Sequence, residues 1–88
     1  MANVRNLKKD INYVLGDIID AVTIWQITNP SADLDKGEAI IDEAIDTFDN
    51  LIQKVNQRKV ENKKAHFKGI NKELEDRASA LIEKINQL

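Results

Sequence analysis

One histidine, His66, and no cysteine make up the soft metal-ligand and strong-nucleophile inventory of this 88-residue chain. That composition leaves no His–Cys pair, no pair of histidines, no thiolate zinc site and no disulfide. Ser31 and Ser79 lack a base that their spacing would place beside them, so a serine nucleophile has nothing to activate it. His66 comes just before Phe67, the first large apolar residue of the last amphipathic stretch, where a solvent-facing or cap-adjacent role is expected. Gly16, Gly37 and Gly69 stand singly inside helical patterns, not in a run that could cradle phosphate. No catalytic, cofactor-binding or metal site is expected, and an enzymatic role would need groups from a second subunit.

Charge is the more informative chemistry. Asp35, Glu38, Asp42, Asp46 and Asp49 recur at three- and four-residue spacing, and residues 31–57 hold seven carboxylates against two cations. Such a row could in principle offer oxygen ligands to a divalent cation. A di-metal carboxylate bundle also wants Glu-x-x-His pairs, and the chain has none, so a solvated acidic face is expected. Opposite in sign, Arg58, Lys59, Lys63, Lys64, Lys68 and Lys72 crowd into fifteen residues with only Glu61 against them. A cluster of that density could contact a phosphate backbone. Its only interleaved aromatic is Phe67, which the core claims, and no helix-turn-helix pattern precedes it. Pairing between the acidic second helix and the basic start of the third is the expected outcome.

The elements that position these groups are helices. Apolar residues at Val4, Leu7, Ile11, Val14, Ile18, Ala21 or Val22, and Trp25 share one face only at a period of 3.6, with Leu15 and Ile19 widening it. The first helix is expected over about 4–27, capped by Asn3 and ended by Pro30. A second, over 33–58 with Ser31 or Asp33 as cap, would bury Leu34, Ile41, Ala44, Ile45, Phe48, Leu51, Ile52 and Val55. Gly37 lies on that face and is expected to make room for Trp25. A third, over 63–87 and capped by Asn62, would bury Phe67, Ile70, Leu74, Ala78, Leu81, Ile82, Ile85 and Leu88. Residues 56–64 hold no Gly or Pro, so one helix running from about 33 to 88 is the competing reading. An 88-residue monomer could not cover so long a stripe, and the expectation is an all-α single domain over 1–88, an antiparallel up-down-up three-helix bundle.

The net charge of −2 gives no overall pull toward nucleic acid or an anionic bilayer. Asp10, Asp17 and Asp20 interrupt the apolar run after Arg5, Lys8 and Lys9, so neither a secretory signal nor a membrane span is expected. With cysteine absent, a cytoplasmic setting fits. Tyr13, Ile24 and Ile27 point away from the first helix's core stripe and could contact a protein partner or a second copy. The functional expectation is a small non-catalytic interaction or structural module working through a helix face. Weak binding of nucleic acid or another polyanion through Arg58–Lys72 is the alternative.

Overall fold

The structure, a computed structural model, describes residues 4–30, 34–57 and 59–88. It is all-α: α1 spans Val4–Thr28, α2 Leu34–Val55 and α3 Lys63–Asn86. The three pack side by side, each touching both others, into a rod 50 Å long and 17 Å across. The break between α2 and α3 excludes a single helix from 33 to 88. The proposed caps Asn3, Ser31 and Asp33 lie outside the described residues, as does Arg58.

Local chemistry sets each visible helix end. At the close of α1, the Thr28 hydroxyl donates to the carbonyls of Ile24 and Trp25, and the Asn29 amide donates to Trp25 at 2.9 Å. Carbonyls left without an intrahelical donor are thereby satisfied, and Pro30 prevents continuation. α2 stops at Val55, three residues before the expected limit, because its apolar line ends there. The Asn56 N–H still reaches back to Ile52, and the Gln57 N–H tightens onto Lys54 at 3.3 Å. α3 starts as expected: Asn62 is extended (φ −129°, ψ 95°) and its side-chain oxygen accepts from the Ala65 N–H at 3.1 Å.

The core is a seam of Leu7, Ile11, Leu15, Ile18 and Val22 from α1, Ile40, Ala44, Leu51 and Val55 from α2, and Ile70, Leu74, Ala78 and Leu81 from α3. Four residues expected inside are not: Val4 is 39% exposed, Leu34 47%, Ile45 46% and Ile82 49%. Val4 and Leu34 sit at rod ends, where a neighbour covers only one side. Ile45 and Ile82 lie at the edges of their stripes, beyond the arc that two neighbouring helices can cover. On α2 the offset is systematic. The buried line runs through Gly37, Ile40, Ala44, Thr47 and Leu51, so Ile41, Ile45, Phe48 and Ile52 fall on its α1-facing flank. Thr47 is buried although polar, its hydroxyl donating to the Glu43 carbonyl at 2.7 Å. Trp25 is not the residue that fills the space at Gly37. A Cβ there would stand 2.6 Å from the Gln26 amide nitrogen, so it is Gln26 that reaches across.

Candidate functional site: the basic end

Antiparallel packing brings the starts of α1 and α3 to the same end as the finish of α2. Contacts fix the levels: Val4, Val55, Val60 and Phe67 line one open recess of about 420 Å³, and Lys54 on α2 meets Glu73 on α3 at 2.5 Å. At or below the level of that ion pair lie Arg5, Lys8 and Lys9 from α1, Lys54 from α2, Lys59 from the connection, and Lys63, Lys64, Lys68 and Lys72 from α3. Glu61 is interspersed with these described cations, and Asp10 and Glu73 border them. With Asp10 and Glu73 counted, the remaining described residues hold thirteen carboxylates against Lys36, Arg77 and Lys84. The chain's small net charge thus conceals a basic third and an acidic remainder. Two helix N-termini and one C-terminus sit at the basic end, so the backbone dipoles act in the same sense.

Among the described residues, none of Lys63, Lys64, Lys68 and Lys72 at the start of α3 pairs with the acidic row of α2. The two helices run in opposite directions, which sets the lysines beside the end of α2 and the acidic row beside the second half of α3. The ion pairs between the two helices include Lys54–Glu73, extended by Arg77 at 3.7 Å from Glu73, and Lys84–Glu43 at 2.5 Å. These side chains are all about a third or more exposed, so each pair contributes only about 0–1 kcal/mol. Among the described residues, Lys59, Lys63, Lys64, Lys68 and Lys72 have no carboxylate within ion-pair distance, and all five are exposed. Lys64, Lys68 and Lys72 follow one another at four-residue spacing and form a stripe along the outside of α3.

His66 takes the cap-adjacent of the two expected roles and is not solvent-facing. Half-buried one turn into α3, it brings its Nε2 within 2.6 Å of the Lys54 carbonyl at the end of α2, which also accepts the long bond from the Gln57 N–H. The contact requires the proton on Nε2, since a carbonyl can only accept. His66 therefore ties the start of α3 to the end of α2 and positions the lysine stripe. Its ring also lies 5.7 Å from that of Phe67, tilted by 48°.

Asp35, Glu38, Asp42, Asp46 and Asp49 run along α2 without converging: no three metal-type side chains come together among the described residues. Tyr13, Ile24 and Ile27 are all exposed. Tyr13 and Ile24 share a flank of α1 but stand roughly 16 Å apart along it, with Asp17 and Asp20 between. The Lys9 ammonium hangs 6.0 Å from the centre of the Tyr13 ring. Sequence reasoning did not place Arg5, Lys8, Lys9 and Lys54 in the basic cluster. An up-down-up order implies that they join it, but residues so far apart in sequence do not announce a shared pole. No helix among the described residues is long and apolar enough to cross a membrane. The chain matches no protein family, no curated protein and no solved structure.

Proposed function

We propose that this chain is a non-catalytic interaction module, cytoplasmic, whose working surface is the basic end and whose ligand is a phosphate polymer such as nucleic acid. One observation carries the reading: five exposed lysines at that end have no carboxylate partner among the described residues. Repulsion among unpaired like charges destabilises the folded chain, and a polyanion would relieve it while releasing counterions. The acidic remainder does not oppose this. Most of it lies farther away than the ~8 Å over which charges are felt at physiological ionic strength.

The test is a titration of fluorescent single- and double-stranded oligonucleotides at several salt concentrations. A joint Lys63→Ala, Lys64→Ala, Lys68→Ala variant is expected to bind more weakly at low salt. Its log–log salt slope should be shallower by about 0.7–0.9 for each phosphate that the removed lysines would have neutralised. Lys36→Ala and Lys84→Ala, at the other end, should change nothing. Equal binding by the lysine variant and the parent would discard the reading. The second reading, a protein contact through Tyr13, Ile24 and Ile27, is supported by their exposure on α1. It predicts that Ile24→Asp abolishes capture of a protein partner and leaves oligonucleotide binding untouched.

A further inference from the structure

The open recess at the basic end is set apart from neighbouring hollows by what surrounds it. Val4, Val55, Val60 and Phe67 give it apolar walls around about 420 Å³, within the ~300–1,000 Å³ of small-molecule sites. Val55 is buried, but Val60 and Phe67 are only half-buried and Val4 is 39% exposed. The core therefore claims only part of Phe67. Among the described residues that line the recess, Lys63 supplies a cation and none supplies a carboxylate. Lys59 precedes Val60 in the chain and Lys64 follows Lys63; Glu61 is exposed and does not line it. The adjoining recess, which shares Gln57 and His66, is lined by Glu73 as well. A hollow between α1 and α3 is lined by Asp17. Apolar walls and positive charge without an opposing carboxylate thus coincide at the basic end.

The rest of the lining says what fits. Asn56 and Gln57 also face the recess, and each carries a side-chain amide that both donates and accepts. Apolar walls with one aromatic ring, amides beside them and cations around the mouth suit a nucleobase carried on a phosphate chain. An acyl chain has no use for the amides. In a duplex each base is stacked and paired, whereas a single strand can turn a base out onto an aromatic ring and match its edge with hydrogen bonds.

We propose that this recess takes one unstacked base of a single-stranded nucleic acid, laid against the Phe67 ring, with Asn56 and Gln57 at the base edge. Lys59, Lys63 and Lys64 hold the phosphates on either side of it. The assignment rests on the polyanion reading of the basic end and narrows it: the ligand is recognised by a base as well as by its phosphates, and so is single-stranded.

Competition binding on the full chain at one salt concentration tests it with four probes. These are an oligothymidylate, an abasic strand of the same length, inorganic polyphosphate of equal charge, and phosphatidylglycerol vesicles. The oligothymidylate is expected to bind at least about fivefold more tightly than the abasic strand, the lower end of what stacking one base on an aromatic ring supplies. Phe67→Leu keeps an apolar side chain but removes the ring, and should erase most of that preference. The joint Asn56→Ala, Gln57→Ala variant changes two exposed side chains and should reduce it. Both should leave abasic-strand and polyphosphate binding unchanged, with the helices intact by circular dichroism. If Phe67→Leu does not fold, the amide variant decides. Equal affinity for the oligothymidylate and the abasic strand would overturn the base site and leave the polyanion reading standing, whereas binding of no probe would defeat both. A preference untouched by these variants would place the base elsewhere and overturn the assignment. So would tighter binding of the vesicles than of the oligothymidylate, lost in Phe67→Leu, which would give the recess to an acyl chain.

Discussion

Substituting the glycines one at a time by alanine gives a graded test of the packing, because the three sites differ in what a new methyl would touch. Gly69 lies in α3 on an exposed face, and an added Cβ meets nothing within 4 Å. Gly69→Ala should therefore return the whole helix-propensity difference, a gain of about 0.5–1 kcal/mol. For a domain this small, about 1 kcal/mol raises the midpoint of thermal unfolding by roughly 4–8 °C. Gly37 is buried, and the same methyl would fall 2.6 Å from the Gln26 amide nitrogen and 3.2 Å from two carbons behind it. Gln26 must then swing away, giving up its place against α2 and a long 3.4 Å hydrogen bond to the Leu34 carbonyl. That bond is exposed and stretched, so its loss costs less than the ~0.5–1.5 kcal/mol of a typical one. The displaced packing consumes most of the remaining gain. Gly37→Ala is thus expected to lie within about 0.5 kcal/mol of the parent, on the same scale of helix propensity. Urea unfolding followed by far-UV circular dichroism measures both. A Gly69→Ala variant less stable than the parent, or a Gly37→Ala variant as stabilised as Gly69→Ala, would refute the reasoning.

Other substitutions probe the core and the one visible N-cap. Ile18 is fully inside the seam, and Ile18→Ala should cost about 2–5 kcal/mol through the cavity it leaves. Phe48 is only half-buried and borders an open groove, so Phe48→Ala should fall near the bottom of that range, at about 2 kcal/mol; the reverse order in denaturant midpoints would show that α2 is rotated differently. Asn62→Ala removes the acceptor for the Ala65 N–H and should cost about 1 kcal/mol, while Asn62→Asp should be nearly neutral in the same unfolding assay.

Helix number, order and approximate limits were legible because apolar periodicity, Pro30 and Asn62 are local features. Which part of each stripe is buried was less so. Ile40 and Ile41 are adjacent and chemically identical, and periodicity alone favours the line through Ile41, whereas the fold buries Ile40. Thr47 reads as polar, yet it satisfies its hydroxyl on its own helix and costs little to bury. The contact at Gly37 came from Gln26 because a long flexible side chain can reach over a turn that a rigid indole cannot easily follow. The basic end was half legible: the run in α3 is visible as a block, but its contribution from α1 depends on where two distant segments finish. The expected pairing between helices failed for a simple geometric reason. Opposite directions match the start of one helix to the end of the other, so blocks adjacent in sequence meet only at their near edges.

The way each helix packs against its neighbour in sequence also bears on how quickly the structure assembles. α1 meets α2 across one short turn, and α2 meets α3 across another, so most of the packing closes only small loops. The α1–α3 seam alone must wait for the chain to double back twice. Topologies this local reach the native state in microseconds to milliseconds, and a half-formed hairpin of α1 and α2, its apolar seam open, would be exposed only briefly.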